Sequence, residues 1–190
     1  MQTLGISDST PRTESRWRAL FWPTIRSEGD LDYVSRQGFW ICFVVAVVSL
    51  IFGAFTGVFF ASLFDVLFFF LAGVGIRQQS RIAGIAAFVA YFLTGVMLQK
   101  DTGSGFNITR ITFLALLFAN VRGNWLSARW RRERELQPPP LPLSQTWGDK
   151  LADQLPIFLW PKVRIVFYVL AALELILLLV GIAMPRPPAL

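Results

Sequence analysis

The chain has 190 residues, of which 54% are hydrophobic, and a net charge of +6. That is too little polar sequence to cover a soluble core of such composition, so a membrane protein is expected. It contains no histidine and one cysteine, Cys42. Imidazole-ligated haem, the usual zinc sites, histidine-based acid–base catalysis and an intramolecular disulfide are thereby excluded.

Residues 1–16 are polar and of mixed charge and read as a disordered tail. Residues 17–37 read as a cytoplasmic interfacial segment. Trp17, Leu20 and Phe21 fall at helical spacing among arginines and predict a short helix lying in the interface, ended by Pro23. Residues 38–136 hold four expected crossings. The first runs from Gly38 to Ala61 and contains Gly53-Ala54-Phe55-Thr56-Gly57, a G-x-x-x-G that suits close helix packing. The second starts at Leu63, with Ser62 and Asp65 read as an N-terminal capping pair. A polar turn, Arg77-Gln78-Gln79-Ser80-Arg81, leads into the third, with Ser80 as its cap. Ala86, Ala90 and Thr94 recur one turn apart in this third crossing and predict a packing face.

Lys100 to Phe106 reads as a loop, and Asn107 as the cap of a fourth crossing from Ile108 to Val121. Arg110, in its first turn, is expected to snorkel to the interface. No strong breaker follows before Gln137, so this helix is expected to run out of the membrane through its arginines. Residues 137–163 read as a proline linker and an amphipathic interfacial helix. Trp147, Leu151 and Leu155 form its apolar stripe, and Pro156 is expected to end it. Residues 164–190 complete the chain with a fifth crossing and a short tail. The predicted class is an all-α integral membrane protein with five transmembrane helices plus short interfacial amphipathic helices.

Five crossings with a cytoplasmic N-terminus put fifteen of the eighteen Lys and Arg residues inside; Lys100, Arg110 and Arg186 are outside. This follows the positive-inside rule and predicts an outside C-terminus, in a bacterial inner membrane or an equivalent plasma membrane. The seven tryptophans also fall at the inner interface.

Candidate sites are few. Glu174 is the one acid deep in a crossing. Counting ~1.5 Å per residue from each inner end puts Glu174, Tyr91 and Ser49 in one layer, with Thr94 a turn outward. A buried acid there reads either as a functional group or as packing glue between helices. Asp65 and Arg110 are a candidate ion pair at the outer face. Arg129, Arg131, Arg132 and Arg134 read either as a site for lipid headgroups or as an ordinary topological signal. No nucleotide-binding loop, nucleophile motif, metal site or cofactor motif is present, so no enzyme is expected. The expected partners are the lipid bilayer and a protein in the membrane or at its cytoplasmic face, with no nucleic acid. The expected role is that of an accessory, assembly or scaffold subunit, the alternative being a small transporter or channel that uses Glu174.

Overall fold

The computed structural model describes residues 28–57, 59–103, 105–134 and 147–184. These form five helices and no strand: α1 (Glu28–Thr56), α2 (Phe59–Arg77), α3 (Arg81–Thr102), α4 (Ile108–Arg134) and α5 (Trp147–Ala183). The expected interfacial helix at Trp17 to Phe21 lies outside the described residues. Segments Leu31–Thr56, Arg81–Thr102 and Gln154–Ala183 are each long and apolar enough to cross a membrane.

α1 packs along α2, α2 on α3, α3 on α4 and α4 back on α1; α5 lies against α2 and α3. The core is built from aromatic rings set against alanines. Phe68 of α2 stacks on Phe167 of α5 at 5.9 Å, and Phe69 meets Tyr91 edge-on at 6.2 Å. Ala83, Ala86, Ala87 and Ala90 form the buried face of α3.

Local chemistry sets the helix ends. Ser80 caps α3, its Oγ accepting from the Ala83 N–H. Just before it, α2 closes with the Gln79 N–H bonded to the Ile76 carbonyl and the Ser80 N–H to the Gly75 carbonyl. That pair is a Schellman motif, and Gln79 occupies its left-handed position at φ 56°. Asn107 Oδ1 accepts from the Arg110 N–H at 2.8 Å and caps α4. α4 then continues to Arg134, so the helix does carry on through its arginines.

The expected boundaries are corrected at three places. α1 begins at Glu28, ten residues before Gly38, and ends at Thr56, not Ala61. Gly57, at φ +75°, breaks the chain there, whereas Gly53 faces Ser62 so closely that a Cβ would sit 1.9 Å from Ser62 Oγ. The two glycines of the G-x-x-x-G thus do different work, one as close contact and one as turn. α2 therefore starts at Phe59, and Ser62 is not its cap: Ser62 Oγ donates to the Phe59 carbonyl inside the helix. Third, no separate interfacial helix ends at Pro156. α5 runs unbroken from Trp147 through Pro156 and Pro161. An interior proline costs a helix ~3 kcal/mol. Packing offsets it here: Pro156 is fully buried, Leu155 and Leu159 pack around Phe39 and Val74, and Trp160 lies on Gly75. Trp147 and Leu151 lie where only the backbone is described.

Candidate functional site

On α5, the residues Phe167, Ala171, Glu174 and Leu178 recur every three or four positions and are all buried. Their spacing makes one helical stripe facing α2 and α3. Ile165, Val169, Ile176 and Leu177 take the opposite, exposed face. Glu174 is thus carried on the buried seam of an otherwise apolar helix, 4% exposed. It forms no hydrogen bond among the described residues.

Asp65 is its electrostatic neighbour across the α2–α5 contact. With α2 starting at Phe59, Asp65 stands in its second turn rather than at its first, ~18 Å from Arg77 by helical rise. Glu174 is ~15 Å from Arg164, and Tyr91 the same distance from Arg81, by the same count. Measured from the level where Trp160 and Ala83 meet Gly75, Glu174 is ~21 Å, Asp65 ~15 Å and Tyr91 ~12 Å along the bundle, so the two acids are on successive turns and the phenol lies below them.

The other members of the expected layer are placed differently. The Thr94 hydroxyl donates to the Ala90 carbonyl of its own helix at 2.8 Å. Ser49 is half-buried on α1 and makes no hydrogen bond to Glu174. Tyr91 packs among Phe69 and Phe113, and it too makes no bond to Glu174.

Asp65 and Arg110 are not brought together. Arg110 runs inward over Gly95 instead of outward to the interface. Its Nη1 donates to the Tyr91 carbonyl at 3.3 Å, and its guanidinium lies 4.9 Å from the Tyr91 ring centre. Gly95 makes the space: a Cβ there would come 3.1 Å from Arg110 Cδ. A cation over a ring face is attracted by the ring quadrupole, which favours Tyr91 over open lipid. The side chains of Arg129, Arg131, Arg132 and Arg134 lie outside the described residues; their backbone forms the last two turns of α4.

A second set of polar contacts was missed by sequence reasoning. At the end of the bundle that holds the α2–α3 turn, Arg77 pairs with the Asp32 carboxylate, and its Nη1 also donates to Ser35 Oγ at 2.8 Å. On α4, Asn120 and Asn124 stand one turn apart. Asn124 Nδ2 donates to the Ser80 carbonyl at 3.4 Å. Asn120, 0% exposed, lies against Gly38, where a Cβ would fall 2.2 Å from its Oδ1. The signal available was each asparagine at i, i+4 in an apolar run, opposite a glycine on another helix. Among the described residues, no group of three or more His, Cys, Asp or Glu side chains could hold a metal ion.

Comparison with protein-family models, with curated proteins and with solved structures finds no match. The functional reading rests on this chain's own residues.

Proposed function

We propose that this chain is a five-crossing, non-catalytic membrane protein that serves as an accessory, assembly or scaffold subunit with a basic cytoplasmic face. One observation carries the reading. α4 spans 27 residues and α5 spans 37, so they are ~40 and ~55 Å long, against a hydrocarbon core of ~30 Å. With the N-terminus inside, both overhangs emerge on the same cytoplasmic side. One of them carries Arg129, Arg131, Arg132 and Arg134, a platform on which a larger partner can dock. α2 and α4 count as crossings because each exposes large apolar side chains, such as Phe60 and Leu67 on α2 and Ile111 and Phe118 on α4. The outer ends of α3 and α5 also meet: Lys100 Nζ donates to the Ile182 carbonyl at 2.7 Å and to that of Met184.

Reporter fusions test the threading. Those at Ser80 and Ser144 should report the cytoplasm, and those at Ser104 and Leu190 the outside; a cytoplasmic Leu190 sinks the five-crossing count. The role is tested by purifying the full chain from its own membranes in mild detergent. A larger partner should follow it in fixed stoichiometry and be lost when the four arginines are changed to glutamate.

The Asp65–Glu174 neighbourhood favours a second reading, ion or proton transport through the bundle. Reconstituted vesicles would then show a flux that Glu174→Gln abolishes without altering assembly. Absence of flux in both proteins removes this reading.

A further inference from the structure

Between α1 and α4 lies an open groove of about 390 Å³. Its walls change character along the helix axis. Tyr33, Arg36 and Gln37 form the end nearer the start of α1; Trp40 and Val44 continue along α1, and Phe113 closes the side from α4. Tyr33, Gln37, Trp40 and Val44 follow the i, i+4, i+7, i+11 spacing of a single helical face. Arg36 and Val44 are ~12 Å apart along the axis. The groove thus passes from a cationic mouth at headgroup level to an apolar floor within the membrane, the polarity profile of an amphiphile.

Gln37 is the group in this groove with unmet hydrogen-bonding capacity. It makes no hydrogen bond among the described residues, and its Oε1 is buried without a partner. The amide nitrogen is the end left to meet whatever enters. Arg36 is already engaged within the protein. A guanidinium has five N–H donors, so one partner does not exhaust it. Trp40 is held edge-on between Phe39 and Phe43, at 5.5 and 5.6 Å, which makes a fixed wall.

Resting on the reading that these helices span a membrane, we propose that the groove seats one anionic glycerophospholipid. Its phosphate lies at Arg36, an ester oxygen accepts from the Gln37 amide nitrogen, and an acyl chain runs along Trp40, Val44 and Phe113. Beyond Gln37 the lining is Trp40, Ile41, Val44 and Phe113, all apolar, which suits an acyl chain. Charge favours an anionic headgroup, because the mouth supplies hydrogen-bond donors and a cation.

The test uses the full chain, stripped of lipid in detergent and offered phosphatidylglycerol or phosphatidylcholine, with bound lipid counted by native mass spectrometry. The parent protein should retain one phosphatidylglycerol per chain and at least three-fold less phosphatidylcholine. Val44→Trp, which fills the floor, and Gln37→Leu, which keeps the volume and removes the donor, should each lower occupancy at least five-fold. Ile165→Trp, on the exposed face of α5, should match the parent. Gel filtration shows which variants remain folded, and Gln37→Leu decides alone if Val44→Trp does not. Equal occupancy in the groove variants and the parent overturns the proposal, and so does equal retention of the two lipids. A second copy or another protein that is displaced by Val44→Trp in place of lipid also overturns it. These lipid counts are independent of the reporter fusions, so the threading can fail or stand by itself.

Discussion

The end of the bundle that holds the α2–α3 turn and the middle of the bundle treat polar side chains differently. At the turn end Arg77 ties to Asp32 and Ser35, Asn124 to Ser80, and Ser80 to Ala83, while Asn120 Oδ1 and Gln37 Oε1 are buried nearby without partners. In the middle, Glu174 is buried with no hydrogen bond and with a second acid as its neighbour. A partnered group in low dielectric fastens helices together, and losing one side of it is expensive. A buried acid without partners contributes no such tie, which is why a transport role for Glu174 is among the readings proposed above.

The comparison can be broken by unfolding measurements on the detergent-solubilised chain. Gly38→Leu should cost the most, about 3 kcal/mol or more, because the new side chain overlaps Asn120 and Ile76. Arg77→Ala should cost about 1 kcal/mol: it removes a partly exposed ion pair with Asp32, while Ser35 keeps its bond to the Asp32 carbonyl. Gln79→Gly should work in the other direction and raise stability by about 1 kcal/mol, since glycine takes the left-handed position without strain. Glu174→Leu should leave stability unchanged or raise it by less than about 1 kcal/mol. If it instead destabilises as Arg77→Ala does, Glu174 is a fastening and the contrast fails. Thr94→Val should have the smallest effect, within about 0.5 kcal/mol, because its hydroxyl bonds only its own helix.

Features governed by a few neighbouring residues were legible in the sequence. Ser80 and Asn107 cap the helices they precede, and Ala86 and Ala90 lie on a buried face, because capping and small-residue packing depend on spacing alone. The α1–α2 turn was not legible. Gly53 and Gly57 are equally apt for close packing and for a break, and only the position of Ser62 across the hairpin separates the two uses. Misplacing that turn by a few residues made Asp65 look like a capping group at the outer face and offered it Arg110. Its true place is in the second turn of α2, where the acid it acts on electrostatically is Glu174 of α5. Pro156 reads as a terminator because its local cost is real; the surfaces of α1 and α2 that offset it, at Phe39, Val74 and Gly75, are far earlier in the chain. Arg110 was expected at the interface because nothing local announces that Gly95 leaves room for it over Tyr91.

The continuous α5 also has a mechanical meaning. It is a strut ~55 Å long, of which Gln154–Ala183 is the apolar part. The inner part is gripped at Leu155, Pro156 and Trp160 by α1 and α2, and two prolines in that same stretch each remove one rung of the helical ladder. A grip beside a compliant joint isolates: bending of the first two turns of the strut is absorbed at the prolines, and the arm that carries Glu174, held along α2 and α3 by Phe167, Ala171 and Leu178, stays in register.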